Sequence, residues 1–148
     1  MGKLTFKAVT PVDAGQLAPL YVETFNIPPH NGAWTLERAS QRLYDVICRE
    51  CTSGLMALLD GELCAMVLGD SEITFDGRSY EVRELCVRRE NRGMGVDVAL
   101  MEELERRLKK QGFTRVVMLL PTASDESFAQ KAGFQPCGGM TLLQKALV

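Results

Sequence analysis

Apolar residues recur along this chain in several rhythms, and each rhythm predicts an element. Residues 4–9 (Leu-Thr-Phe-Lys-Ala-Val) alternate and read as a first strand. Thr10-Pro11-Val12-Asp13 then supplies a cap, a first-turn proline and an early acid for a helix reaching about Phe25. Residues 26–34 hold two prolines and a glycine and form a loop. Thr35 caps a second helix running to about Cys51, in which Leu36, Ala39, Leu43, Val46 and Ile47 repeat at helical spacing. Residues 55–59 and 63–68 flank Asp60-Gly61 and predict a hairpin, and a further turn at Asp76-Gly77 leads into a strand over 80–87. Val96, Leu100, Leu104 and Leu108 then lie on one helical stripe, with Glu102, Glu103, Arg106, Lys109 and Lys110 facing water and Gly112 ending the run. The continuous apolar stretch 116–120 predicts a central strand covered on both faces. Ser124 with Asp125 and Glu126 caps a short last helix that Gly133 stops, and residues 141–147 are suited to close the sheet.

Taken in order, these elements describe an α/β (α+β) chain. A mixed, mostly antiparallel sheet carries helices on both faces, with one strand-helix-strand crossover at its centre. The 148 residues suffice for one domain with a full core, residues 1–148, and no linker or repeat divides them.

The formal net charge of -2 provides no global basic field for nucleic acid or an anionic membrane. No apolar run approaches the roughly 20 residues that cross a bilayer, and no charged-then-apolar leader opens the sequence, so a cytoplasmic location is the expectation. Five cysteines, an odd number, read as free thiols in a reducing compartment. Cys48 and Cys51 form one C-x-x-C, but no second pair follows and His30 is the only histidine, so the spacing does not predict a metal site.

The candidate chemistry is concentrated at Arg92-Gly93-Met94-Gly95-Val96-Asp97, which joins the apolar strand end Leu85-Cys86-Val87 to the amphipathic helix. A helix start whose entrance lacks side chains at Gly93 and Gly95 presents successive N–H groups to an anion, and an arginine adds a guanidinium suited to phosphate. The same glycines also suit a plain sharp turn.

This order of elements, with Leu85-Cys86-Val87, Arg92-x-x-Gly95 and the segment Phe128-Ala129-Gln130-Lys131-Ala132-Gly133-Phe134, resembles the GNAT superfamily of acetyl-CoA-dependent N-acetyltransferases. The resemblance spans nearly the whole chain. It implies transfer of acetyl from acetyl-CoA to a primary amine of a small molecule by direct attack, with no metal and no acetyl-enzyme. It assigns the backbone N–H of Leu85 to the thioester carbonyl and Val87 to the amide arm of the cofactor. Arg92, Gly93, Met94, Gly95, Val96 and Asp97 would hold the diphosphate. Phe25, His30 and Trp34 would line the acceptor side, although Trp34 equally serves to staple the second helix and His30 to face solvent.

Glu81 matches the strand glutamate that some members use as general base and, by strand alternation, shares a face with Leu85, while Glu84 points to the opposite face. Four residues of strand span ~13 Å, so Glu81 would act through water.

Three positions depart from the family's pattern. Asp97 stands where Gly or Ala is usual and sets a negative charge beside the phosphate site. Ala129 replaces a tyrosine that would protonate the thiolate, leaving Ser124 or Ser127 as substitutes, and Thr122 stands near the place of a common asparagine. These departures keep a second reading open, a ligand-sensing or partner-binding module on the same fold. An exposed final strand offers an edge at which two copies could pair as a homodimer.

Overall fold

A computed structural model of the chain describes residues 2–121 and 127–148. Its elements are β1 (Leu4–Ala8), α1 (Ala14–Phe25), α2 (Leu36–Ile47), β2 (Thr52–Leu59), β3 (Glu62–Thr74), β4 (Gly77–Val87), α3 (Val96–Lys110), β5 (Phe113–Met118) and α4 (Ser127–Lys131). The strands form one sheet in the order β1-β2-β3-β4-β5. The first four pair antiparallel, and β5 pairs parallel with β4 through the α3 crossover. The mixed, mostly antiparallel sheet expected from the sequence is therefore present.

Local chemistry accounts for the ends of the elements. Asp13 accepts from the Thr10 N–H at 2.8 Å and from the Thr10 hydroxyl at 3.1 Å, fixing the entrance to α1. Thr35 Oγ1 accepts from Arg38 N at 3.1 Å and caps α2. That helix stops at Ile47, short of the expected Cys51, because residues 48–51 turn directly into β2.

Two cores result. Leu17, Leu20, Tyr21, Leu43 and Val46 pack α1 and α2 against Met56, Met66 and Cys86 on one face. Leu100, Met101, Leu104 and Leu108 pack α3 against Ala57, Val67, Tyr80 and Val82 on the other.

The crossover lies at the edge of the described sheet rather than its centre. Residues 116–120, expected to be covered on both faces, are strand only as far as Met118, and Leu119 beyond it is 63% exposed; among the described residues no strand pairs with the outer edge of β5. The strand expected over 141–147 does not form: residues 134–148 have no helix or strand, and Leu142 and Leu143 lie in solvent. A strand needs a partner edge for its backbone groups, and this segment takes none. The expected cap at Ser124, Asp125 and Glu126, and Thr122, lie outside the described residues.

One irregularity in β4 decides where its side chains point. Leu68 pairs with Glu84 and the next residue, Gly69, pairs with Val82, so Arg83 is an extra residue in the ladder. Gly69 is needed at this place because a Cβ there would run into the Tyr80 ring, which passes beneath the strand. Tyr80 is anchored there by donating its hydroxyl to the Ser53 carbonyl at 2.7 Å.

Candidate active site

The glycine turn enters α3 in the conformation its residues allow. Gly93 and Gly95 have φ of 77° and 78°, in the left-handed region, and open space surrounds the position a Cβ would take at either. Gly95 is the N-cap, so the N–H groups of Val96 and Asp97 come too early in the helix to have an intrahelical acceptor. Pairing of β4 with β5 ends at Val82 and Met118, and the last five residues of β4 have no β5 partner. Where that pairing ends, a cavity of about 230 Å³ opens, lined by Leu85, Val87, Asn91, Arg92, Gly93 and Asp97, with Thr24 from α1 and Phe128 from α4. The turn and the free strand end that the sequence singled out thus share one mouth. Met94 is exposed at its rim, and Val96 turns its side chain into the α3 core.

Charge at this mouth is arranged differently from the simplest expectation. Arg92 Nε donates to the Val87 carbonyl at 3.2 Å, so its guanidinium lies across the strand end. The Asp97 carboxylate, partly exposed at the cavity, is not paired with Arg92 and accepts from Val98 N–H at 2.9 Å, taking one of the helix-start donors. Arg88 Nε donates to the Leu63 carbonyl at 2.8 Å, and Arg89 N–H donates to Glu23 at 3.2 Å. Gly93 and Gly95 leave open space at the mouth, and Asp97 sets a carboxylate beside it.

The opposite face of β4 holds a second cluster, and here alternation misleads. The extra residue at Arg83 brings Glu84 onto the α1/α2 face together with Glu81, while Leu85 and Val87 join the α3 side. Glu81 therefore does not share a face with Leu85, and Glu84, expected to point the other way from Glu81, points the same way. Glu81 keeps contact with solvent and lies 3.8 Å from Arg83, whose Nε donates to Asp70 at 2.7 Å. Glu84 is only 3% exposed, and its Oε1 accepts from Arg42 Nε at 3.0 Å and Arg42 Nη2 at 2.7 Å. Burial raises the Glu84 carboxyl above the ordinary glutamate range, and Arg42 opposes that shift without cancelling it.

Tyr21 lies against this ion pair, and burial pushes its phenol up. Its ring meets Phe25 at 4.5 Å and Trp34 at 5.0 Å between centroids, and Phe25 meets His30 at 4.7 Å. Asn26 fixes the loop by accepting from Trp34 N–H and donating to the Trp34 carbonyl, both at 2.8 Å. Of the three residues expected on the acceptor side, Phe25 and Trp34 pack on Tyr21, which lies beside Glu84, and His30 packs on Phe25. Cys86, one strand position further, is fully buried and its thiol is pushed up by that burial; Cys137 is exposed.

Sequence reasoning missed Tyr21, Thr24, Arg42 and Asn91 and misplaced Glu84. One signal was available: Arg83-Glu84, two consecutive charged residues, breaks the alternation of β4 and marks a bulge. Nothing local marked Arg42.

Residues 17–134 match the model of the Acetyltransferase (GNAT) family. A ribosomal-protein-alanine N-acetyltransferase from Brucella melitensis biovar Abortus 2308 has a similar structure, with a TM-score of 0.75, 17% identity, and 97% of this chain and 99% of that one covered. An aminoglycoside acetyltransferase from an uncultured soil metagenomic sample, solved with sisomicin, is similar at a TM-score of 0.78 and 15% identity over 98% and 97% of the two chains. An aminoglycoside N-acetyltransferase solved in complex with CoA is similar at 0.75 and 12% over 98% and 96%. At these identities the structures speak for the fold alone. No curated protein matches the chain in sequence.

Proposed function

Because the chain belongs to the acetyltransferase (GNAT) family, we propose that it moves acetyl from acetyl-CoA to a primary amine of a small molecule by direct attack. The observation that carries this reading is the coincidence of two features in one mouth. The left-handed glycine turn of residues 93–95 opens α3 at the place where β4 leaves β5. A diphosphate needs several donors at once, and the main chain at Met94, Gly95 and Val96, with Arg92 beside it, supplies them. Leu85 and Val87 lie where β4 has lost its β5 partner while still pairing with β3, and on that open edge a main-chain N–H can polarise a thioester carbonyl and an amide arm can add as a partial strand.

The amine nitrogen forms a bond to the carbonyl carbon as the carbon–sulfur bond breaks, and the proton it sheds needs an acceptor. Glu81 was the candidate from the sequence. We assign the role instead to Glu84, which is adjacent to Leu85 in the chain, lies against Tyr21, on which Phe25 and Trp34 pack, and has a carboxyl made more basic by burial. Ala129 can donate nothing to the thiolate, and a thiol pKa near 8.5 lets the thiolate leave unaided.

Thermal shift with acetyl-CoA, followed by a primary-amine library read out by thiol release, tests the reading. A stabilised protein with amine-dependent thiol release supports it. Stabilisation without turnover on any amine supports the alternative, a ligand-sensing or partner-binding module, and no stabilisation at millimolar acetyl-CoA contradicts both forms of the cofactor assignment.

A further inference from the structure

We propose that Arg42 is a positioning residue for acetyl transfer: by clamping one oxygen of the buried Glu84 carboxylate it sets the pH range over which Glu84 accepts the amine's proton. Arg42 has this role only if Glu84 is the proton acceptor, as read above.

The clamp is asymmetric. Both guanidinium bonds, from Nε at 3.0 Å and Nη2 at 2.7 Å, go to Oε1, and neither involves Oε2. One oxygen is thus pinned to α2 while the second is not shared with Arg42. Burial is asymmetric as well, since the Arg42 side chain is 41% exposed and that of Glu84 is 3% exposed. A pair of this kind is weak evidence for stability, because desolvating the carboxylate offsets much of the attraction. What it secures is orientation and charge state.

The groups that face Glu84 come from three elements: Tyr21 from α1, Arg42 from α2, and Arg83 and Cys86 from β4. Tyr21 and Cys86 stay neutral, because burial pushes both upward. Arg83 is committed to Asp70 at 2.7 Å and lies 3.8 Å from Glu81. Among the described residues Arg42 is therefore the cation bonded to Glu84. Tyr21 also hydrogen-bonds the carboxylate, and during transfer the amine's proton passes to the Glu84 carboxylate and then to the departing sulfur or to solvent, so the carboxylate is restored for the next turnover.

The test compares wild type, R42K, R42M and E84Q. Two readouts are used: the 13C titration of the Glu84 carboxyl by NMR, and the pH profile of kcat/KM with the best primary amine from the screen. Loss of Arg42 leaves the buried carboxylate uncompensated, so its protonation midpoint rises. R42M is expected to move the Glu84 midpoint and the acidic limb of kcat/KM upward together by about one pH unit or more. R42K is expected to move both by less, and the affinity for coenzyme A stays at the wild-type value. A uniform loss of rate with both midpoints unmoved overturns the proposal and leaves Arg42 a structural residue. A moved carboxyl midpoint with an unmoved kinetic limb also overturns it. E84Q separates the two failures: if it keeps the wild-type rate and limb, the assignment of Glu84 is wrong whatever Arg42 does. Should R42M not fold, R42K decides by the direction of its shift.

Discussion

On the α3 side of β4 the mouth is made of main chain: glycines at φ of 77° and 78°, early N–H groups of a helix, and a strand end that β5 does not pair. On the α1/α2 side the corresponding region is made of side chains, with Tyr21, Arg42 and Glu84 drawn from three elements and closed around one carboxylate. The first arrangement is open and contiguous in sequence; the second is buried and assembled from distant positions. A main-chain cradle tolerates side-chain change as long as the glycines stay, so it suits a constant partner such as a diphosphate. A side-chain cluster changes with each substitution, so under the proposed function it suits the amine.

The largest effect expected from breaking this contrast is at Glu84. E84Q keeps the shape and removes the proposed proton acceptor, and steady-state kinetics should show kcat/KM reduced by about 10²–10⁴-fold with coenzyme A affinity unchanged. Next is Asp97, which takes the Val98 N–H at the mouth. At ~6 Å and an effective dielectric of ~20 a like-charge pair costs about 3 kcal/mol, so Asp97→Gly should tighten coenzyme A binding by up to about a hundredfold in calorimetry. Unchanged or weaker binding would show that the carboxylate stays clear of the phosphates. Gly95→Ala must hold a side chain at φ 78°, at a strain of about 1 kcal/mol, and should weaken coenzyme A binding several-fold while circular dichroism stays the same. Glu81→Gln, on the same face but solvent-exposed and beside Arg83, should change kcat/KM by less than about threefold; a loss as large as that of E84Q would return the proton acceptor to Glu81.

The smallest effect lies away from both faces. Hydrogen bonds from Arg106 and Arg107 hold the Glu103 carboxyl down at about 2, below its usual 4.5. A carboxyl lowered by folding adds stability that is present above its unfolded value and fades as pH falls through its folded value. E103Q should therefore lower the melting temperature slightly at pH 7 and by less at pH 2.

The same contrast explains how far the sequence could be read. The glycine turn, Arg92 and the strand end are neighbours in the chain, and local periodicity placed them together with the α3 stripe and the Asp60-Gly61 hairpin. The α1/α2 cluster depends on contacts across 42 residues, from Arg42 to Glu84, which no window along the chain contains. The bulge at Arg83 adds a further step, because one extra residue reverses every face assignment beyond it, and this is why Glu81 and Leu85 were put together. Residues 116–120 and 141–147 show another limit: an apolar run signals burial or a partner edge without saying which residues supply it, and here Leu119, Leu142 and Leu143 remain exposed.

Amide 15N–1H spectra recorded during titration with coenzyme A test the central claim, that the main chain at the start of α3 and the end of β4 forms the donor site. The account predicts the largest shifts at Leu85, Val87 and residues 93–98, with small ones at Tyr21, Arg42 and the 26–34 loop. Shifts confined to the α1/α2 face, or none at millimolar coenzyme A, would contradict it.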